Sequence, residues 1–197
     1  AAVVVLSIMI STMAAFALSK MKFRLKNTMM EINNLALMFV ATAVVIPRYL
    51  TISAIGILDT WFAHILPLIA MPVCLFLIKQ FMDQVPDSLL EAAQLEGASS
   101  FTIYLKIILP MVKPAIATGA ILSFQQVWNN TETSNLFTST ESICTLAFYM
   151  NTLSGVGTVQ GQGMAAAAAL IMFVPNLLLF IVSQSSVMNT MAHSGIK

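Results

Sequence analysis

The sequence predicts an all-α membrane protein with five spanning helices, and three observations lead there. Only 9% of the 197 residues are charged and 58% are hydrophobic, against about 25% charged in an ordinary soluble domain. Five apolar stretches meet or nearly meet the roughly 20 residues that a helix needs to cross a hydrocarbon core of about 30 Å. The alternating hydropathy of barrel strands is absent, and backbone groups in lipid must be paired within the chain, which leaves helices.

The first stretch, 1–19, is followed by Lys20, Lys22, Arg24 and Lys26. A secretory signal carries its basic residues before the apolar run, not after it, so 1–19 reads as a spanning helix. The chain opens on Ala1 inside an apolar run, so at least one more helix is expected upstream in the full-length protein. The second stretch, 29–46, has Asn33 and Asn34 near its inner end. The third, 61–78, contains Pro67, Pro72 and Cys74; the prolines are expected to kink it where neighbours satisfy the freed carbonyls. The fourth, 107–127, has Lys113 about two turns in, between Pro110 and Pro114, an ammonium able to snorkel to the cytoplasmic interface. The fifth, 164–182, holds five consecutive alanines, 165–169, that allow a neighbouring helix close approach, and Pro175, expected to kink it in the same way. The chain reads as one transmembrane domain, residues 1–197.

Orientation follows the basic residues, since short cytoplasmic loops retain Lys and Arg. The connection after the first stretch holds four of them, Lys79 and Lys106 flank a polar island, and Lys197 ends the tail. Arg48 stands alone on the opposite side, with Asp59, Glu132 and Glu141. The amino end is therefore outside and the island, cytoplasmic loop 80–106, inside. A long outer connection, 129–163, has an apolar patch around Cys144.

Within the island, Pro86 and Asp87 stop the preceding segment, and Ser88-x-x-Glu91 has the spacing of a capping box, which predicts a short helix from Ser88. Leu90, Ala93 and Gly97 fall on one shallow face, suited to a partner's backbone. Gly97 can take the positive φ that ends a helix. Phe101, Tyr104, Leu105 and Ile108 then predict a second amphipathic helix, so two helices meet at a glycine elbow.

Several chemistries find no residues. A phosphate-binding GxxxxGK[ST] loop is absent. His64 and His193 belong to no spaced ligand set, so no metal site is expected. The two cysteines, Cys74 and Cys144, read as small apolar residues. A secondary transporter would be expected to show inverted repeats and ionisable groups near the midplane, and an intramembrane enzyme a nucleophile with its base. No nucleic-acid partner is expected.

Glu91-Ala92-Ala93, three residues, Gly97, nine residues, then Ile107-x-Leu109-Pro110 resembles the EAA loop of binding-protein-dependent ABC importer permeases, the MetI-like superfamily with the type I importer fold. The similarity extends along the whole chain and narrows to the carbohydrate-uptake branch, related to the smaller membrane subunit of the maltose transporter. Ala14-Ala15-Phe16-Ala17-Leu18-Ser19-Lys20, Ile55-Gly56-Ile57-Leu58-Asp59-Thr60, Trp128-Asn129, Thr145-Leu146, Pro175 and the terminal Gly195-Ile196-Lys197 fall in that branch's order. Glu96 stands where the branch usually has Asp, and Thr190 where it often has Gly.

The resemblance implies a non-enzymatic half-channel on the bacterial plasma membrane. Its partners would be a homologous permease, two ABC ATPase subunits that hold ATP and Mg, an extracytoplasmic solute-binding protein and membrane lipid; this chain itself would bind no cofactor. Glu91, Ala92, Ala93, Gly97, Ile107, Leu109 and Pro110 would couple to the ATPase. A Glu91 carboxylate held by its cap would meet a basic group there, a charge-assisted bond of roughly 1.5–3 kcal/mol. Asn33, Asn34, Gln125, Gln126, Trp128 and Asn129 are the candidates for the sugar pathway. Amides and an aromatic face suit a sugar, yet interfacial Trp and interhelical amides serve packing equally well. The EAA loop alone does not separate a sugar permease from one for an amino acid, peptide or phosphate.

Overall fold

The computed structural model describes residues 1–39, 41–154 and 159–194, and every regular element among them is helical. The terminal Gly195-Ile196-Lys197 lies outside the described residues, as does the side chain of Thr190. Helix α1 (Ala2–Lys20) is the spine. It buries Ser7, Ser11, Thr12 and Ala15 while Val5, Met9, Ile10 and Met13 stay exposed. A helix with small and hydroxylic residues inside and large apolar ones outside is built for lipid, where close packing of small residues replaces the hydrophobic drive between helices.

Helix α2 (Lys26–Met38) is followed by a 3₁₀ turn (Ala41–Val44) and α3 (Val45–Ile55). The single helix expected over 29–46 is instead a bent helix pair. Helix α3 ends at Gly56, whose φ of 75° closes the turn with its N–H on the Ile52 and Ser53 carbonyls.

Helices α4 (Trp61–Ile69) and α5 (Pro72–Asp83) form one apolar span, interrupted where Ala70 and Met71 take extended backbone. Pro72 does not kink an existing helix, as its position suggested; it opens α5 as the first helical residue, where its missing N–H costs nothing. Pro67 does lie inside α4, three residues before the break.

After the polar island, described below as α6 (Asp87–Leu95), α7 (Ser100–Ile103) and α8 (Leu109–Met111), the chain enters α9 (Lys113–Trp128). The segment Ser100–Met111 meets α9 at a bend of 80°, at Val112 between Pro110 and Pro114. The fourth apolar stretch is thus a bent helix pair as well. Small helices α10 (Glu132–Phe137) and α11 (Leu146–Ser154) cover the outer end, and α12 (Val159–Ser194) closes the bundle against α9 and α11.

Among the described residues three helical segments, Ala2–Lys20, Trp61–Asp83 and Gln162–Val182, are long and apolar enough to cross a membrane, and the count reaches five if each bent pair is one span. α1 packs on α5 and α9 at the centre. The main core runs from Ala15, Cys74 and Ala115 down through Ile78 and Met82 to Leu90 and Ala93, so the polar island shares one core with the bundle. A second, smaller cluster of Ile52, Ala63 and Phe137 seals the outer end.

Candidate functional site

The island is gripped from within the chain before anything else can grip it. Helix α6 starts one residue earlier than its sequence suggested, because Pro86, with φ −60° and ψ 134°, is the N-cap and Ser88 already lies inside the first turn. The capping box of Ser88 and Glu91 therefore does not form: no side chain caps this helix. Asp87, in the first turn where a carboxylate suits the helix dipole, is held by Lys20 at 2.7 Å. The hydrogen bond and charge of the Lys20 ammonium keep the Asp87 carboxyl below its ordinary range, helped by Lys22 and Lys26.

Gly97 ends the helix as expected. Its φ is 85°, its N–H donates to Gln94, and the N–H of Ala98 reaches back to Ala93 at 2.9 Å, a left-handed C-terminal cap. A Cβ at this position would meet no atom within 4 Å, so the demand for glycine is conformational. The working N-cap is Ser99, which accepts the Thr102 N–H at 3.3 Å and hydrogen-bonds the Thr102 hydroxyl. A serine two residues after a helix-ending glycine is the signal that identifies it.

Beyond α7 the backbone widens into a π-helical turn, Tyr104–Ile108. Ile103, Tyr104 and Ile108 are buried and Ile107 packs on the core, while Phe101 and Leu105 are exposed. The stripe expected from Phe101, Tyr104, Leu105 and Ile108 is corrected to 103, 104, 107 and 108. Similarly, Leu90 and Ala93 face the chain's own core and not a partner.

What remains open on the island is a surface of Glu91, Ala92, Gln94, Glu96 and Gly97, with Leu89, Leu95 and Phe101 around it; Leu95 is 90% exposed. Glu91 has no hydrogen-bond or ion-pair partner among the described residues. Leu109 is half-buried and Pro110 exposed at the bend that leads back into the bundle.

The residues singled out for the pathway separate into two places. Asn33 is buried, and its amide donates to the Pro72 carbonyl at 3.3 Å; Asn34 is exposed. Asn33 lines a cavity of about 140 Å³ with Ser11, Ala70, Met71 and Pro72, where the extended break interrupts the span. Irregular backbone at membrane depth is tolerated where it lines such a cavity.

At the outer end of α9, Gln125 and Gln126 are exposed. The Trp128 ring stacks on Phe124 at 5.7 Å and its indole N–H donates to Met172 at 3.1 Å. Asn129 donates to Gln125 and accepts from Asn176 at 3.2 Å, beside a cavity of about 220 Å³ that reaches Asn151 and Ala168. Trp128 and Asn129 thus join α9 to α12.

The outer loops are ordered by two groups whose partners the sequence did not reveal. Arg48 pairs with Glu132 at 2.6 Å. Asp59, at φ 56°, accepts the Ser139 and Thr140 N–H groups and the Thr140 hydroxyl, and these bonds, the hydroxyl first, hold its carboxyl below the ordinary range.

Comparison with known proteins adds to this geometry. Residues 5–186 match the family described as binding-protein-dependent transport system inner membrane component. The chain is 27% identical, over 98% of its own length and 72% of the relative's, to the trehalose transport system permease protein SugB of Mycobacterium tuberculosis (strain CDC 1551 / Oshkosh). It is 31% identical, over 98% and 71%, to the putative ABC transporter permease protein ORF2 of Caldicellulosiruptor sp.. Its fold is similar to a chain in the crystal structure of a bacterial ABC transporter involved in the import of the acidic polysaccharide alginate, with a TM-score of 0.80 at 24% identity, covering 92% of this chain and 69% of that one.

Proposed function

This chain belongs to the binding-protein-dependent transport system inner membrane components, and from that premise we propose that it is one half of a sugar or oligosaccharide channel worked from its polar island. As a permease subunit of an ABC transporter it sits in the inner membrane and leaves ATP hydrolysis to a separate subunit. The sugar assignment is supported by the trehalose permease among its relatives and by the carbohydrate-branch matches at Trp128-Asn129 and Thr145-Leu146.

Five crossings, a second homologous permease, two ATPase subunits and an extracytoplasmic solute-binding protein complete the proposed assembly, with ATP and Mg held by the ATPase pair. The surface of Glu91, Ala92 and Gly97 docks in a cleft of one ATPase subunit, and Ala93, Ile107, Leu109 and Pro110 tie that surface to the bundle. Closure of the ATPase pair pulls the elbow and opens the membrane cavity outward. In this reading Asn33 and the break at Ala70 and Met71 line the path, supported by the cavity they share.

The observation that supports this reading best is the unpartnered Glu91 beside exposed Leu95 on an island that shares the membrane core. In reconstituted transporter, Glu91→Ala should leave the melting temperature unchanged and lower the binding-protein-stimulated ATPase rate about tenfold, the size of one charge-assisted bond. Gly97→Pro should abolish it, since proline cannot adopt φ 85°. Undiminished stimulation and uptake in both variants refutes the coupling surface. A thermal-shift screen of the cognate solute-binding protein tests the substrate class: a sugar that raises its melting temperature supports the reading, and a shift by an amino acid, peptide or phosphate alone refutes it.

A further inference from the structure

The elbow continues covalently into α5 and α9, yet its strongest polar contacts go to a third helix. On the entry side, Lys20 donates to the Val85 carbonyl at 2.6 Å and to Asp87 at 2.7 Å, and Ser19 donates to Asp83 at 2.7 Å. The Lys20 side chain is only 5% exposed, so its charge is committed to this contact. On the exit side, the buried hydroxyls of Tyr104 and Thr12 lie 2.8 Å apart, and the Tyr104 ring sits 5.4 Å from Phe16. Thr12 also donates within range of the Ile8 and Met9 carbonyls, which fixes its rotamer.

Thr12, Phe16, Ser19 and Lys20 are spaced i, i+4, i+7 and i+8, so they form one stripe along α1 that faces the elbow from both ends. The covalent exit, in contrast, runs through a π turn, a three-residue helix and an 80° bend. Such a jointed connection transmits force poorly, and π turns recur at functional positions.

We propose that Thr12 and Tyr104, together with Lys20 and Asp87, clamp the elbow to α1, and that α1 is the lever through which the elbow's displacement reaches the bundle. The inference rests on the importer reading above. The hydroxyl pair is the part that can be removed without removing a charge, and it acts as a positioning device.

The test uses the complete transporter: this chain, its partner permease, the ATPase pair and the solute-binding protein. Thr12→Val and Tyr104→Phe should each lower binding-protein-stimulated ATPase about fivefold, the size of one neutral hydrogen bond, with the unstimulated rate unchanged. The double variant should be no worse than either single one, and Thr12→Ser, which keeps the hydroxyl, should restore coupling. In parallel, spin labels at Ser100→Cys and Val5→Cys in a Cys144→Ser background report the elbow-to-α1 distance. With Mg-ATP and vanadate it should move by less than about 2 Å in the otherwise unaltered transporter and broaden in Thr12→Val.

Unchanged stimulation in both single variants, multiplicative losses in the double one, failure of Thr12→Ser to restore coupling, or loss of assembly on removal of either hydroxyl overturns the clamp. So does a Ser100–Val5 distance that already shifts widely without any other substitution. A transporter with no binding-protein-stimulated hydrolysis at all sinks the importer reading instead, while the label distances still report on the clamp.

Discussion

Asp59 shows how much one residue in an unusual conformation can organise. Its φ of 56° lies in a region that Asp tolerates better than most residues, and from there one carboxylate fastens the segment at Ser139 and Thr140. Its pKa is lowered in the folded chain. The contribution is therefore fully present above the ordinary carboxylate pKa and is lost as pH falls through the lowered folded value. Asp59→Ala should lower the melting temperature at pH 7, by a margin that shrinks as the buffer is taken below about pH 3.9. Asp59→Asn, which tolerates the backbone and keeps an acceptor, should lose less; melting curves of the three proteins across pH 3–7 check the ordering. The sequence marked Asp59 only as an outer acid, because the loop that supplies its donors lies eighty positions away. Gly97 was legible for the opposite reason: its positive φ closes a cap within its own helix.

At the scale of elements, periodicity identified the helices and misplaced some faces. The buried set after Ser99 shifted because a π turn holds more residues than an α turn, and no local pattern announced the extra width. The capping box failed because Pro86 started α6 first, leaving Ser88 inside it. Contact between α5 and α9 rests on a position the sequence did not single out. At Gly119 a Cβ would lie 2.6 Å from the Cys74 sulfur, with Ile8 and Ile78 also close. Cys74 is fully buried, so its short side chain has little room to yield. Gly119→Ala should destabilise the chain by about 1–3 kcal/mol through overpacking, and Cys74→Ala in the same chain should recover most of the loss. Denaturation of the purified subunit in detergent measures both.

For the molecule as a whole, polar contacts gather at the two ends of an apolar body. Lys20, Lys26, Lys79, Asp83 and Asp87 knit one end, and Arg48, Glu132, Asp59 and Thr140 the other. In a Cys144→Ser background an impermeant thiol reagent should label Leu95→Cys only from the cytoplasmic side and Ser139→Cys only from the outside, both residues being exposed; the swapped pattern would reverse the assigned topology, and labelling of both from one face would refute it. The sequence by itself determined the helical membrane class, the end bearing the basic residues, the left-handed Gly97 and the family, because hydropathy, charge and φ preference act over a few residues. Only the tertiary structure decided that two of the apolar stretches are bent helix pairs, that Glu91 stays unpaired while Lys20 takes Asp87, and that Tyr104 reaches Thr12. Those outcomes depend on which side chains meet across ninety residues of chain, and packing between helices selects among partners that local pattern leaves equivalent.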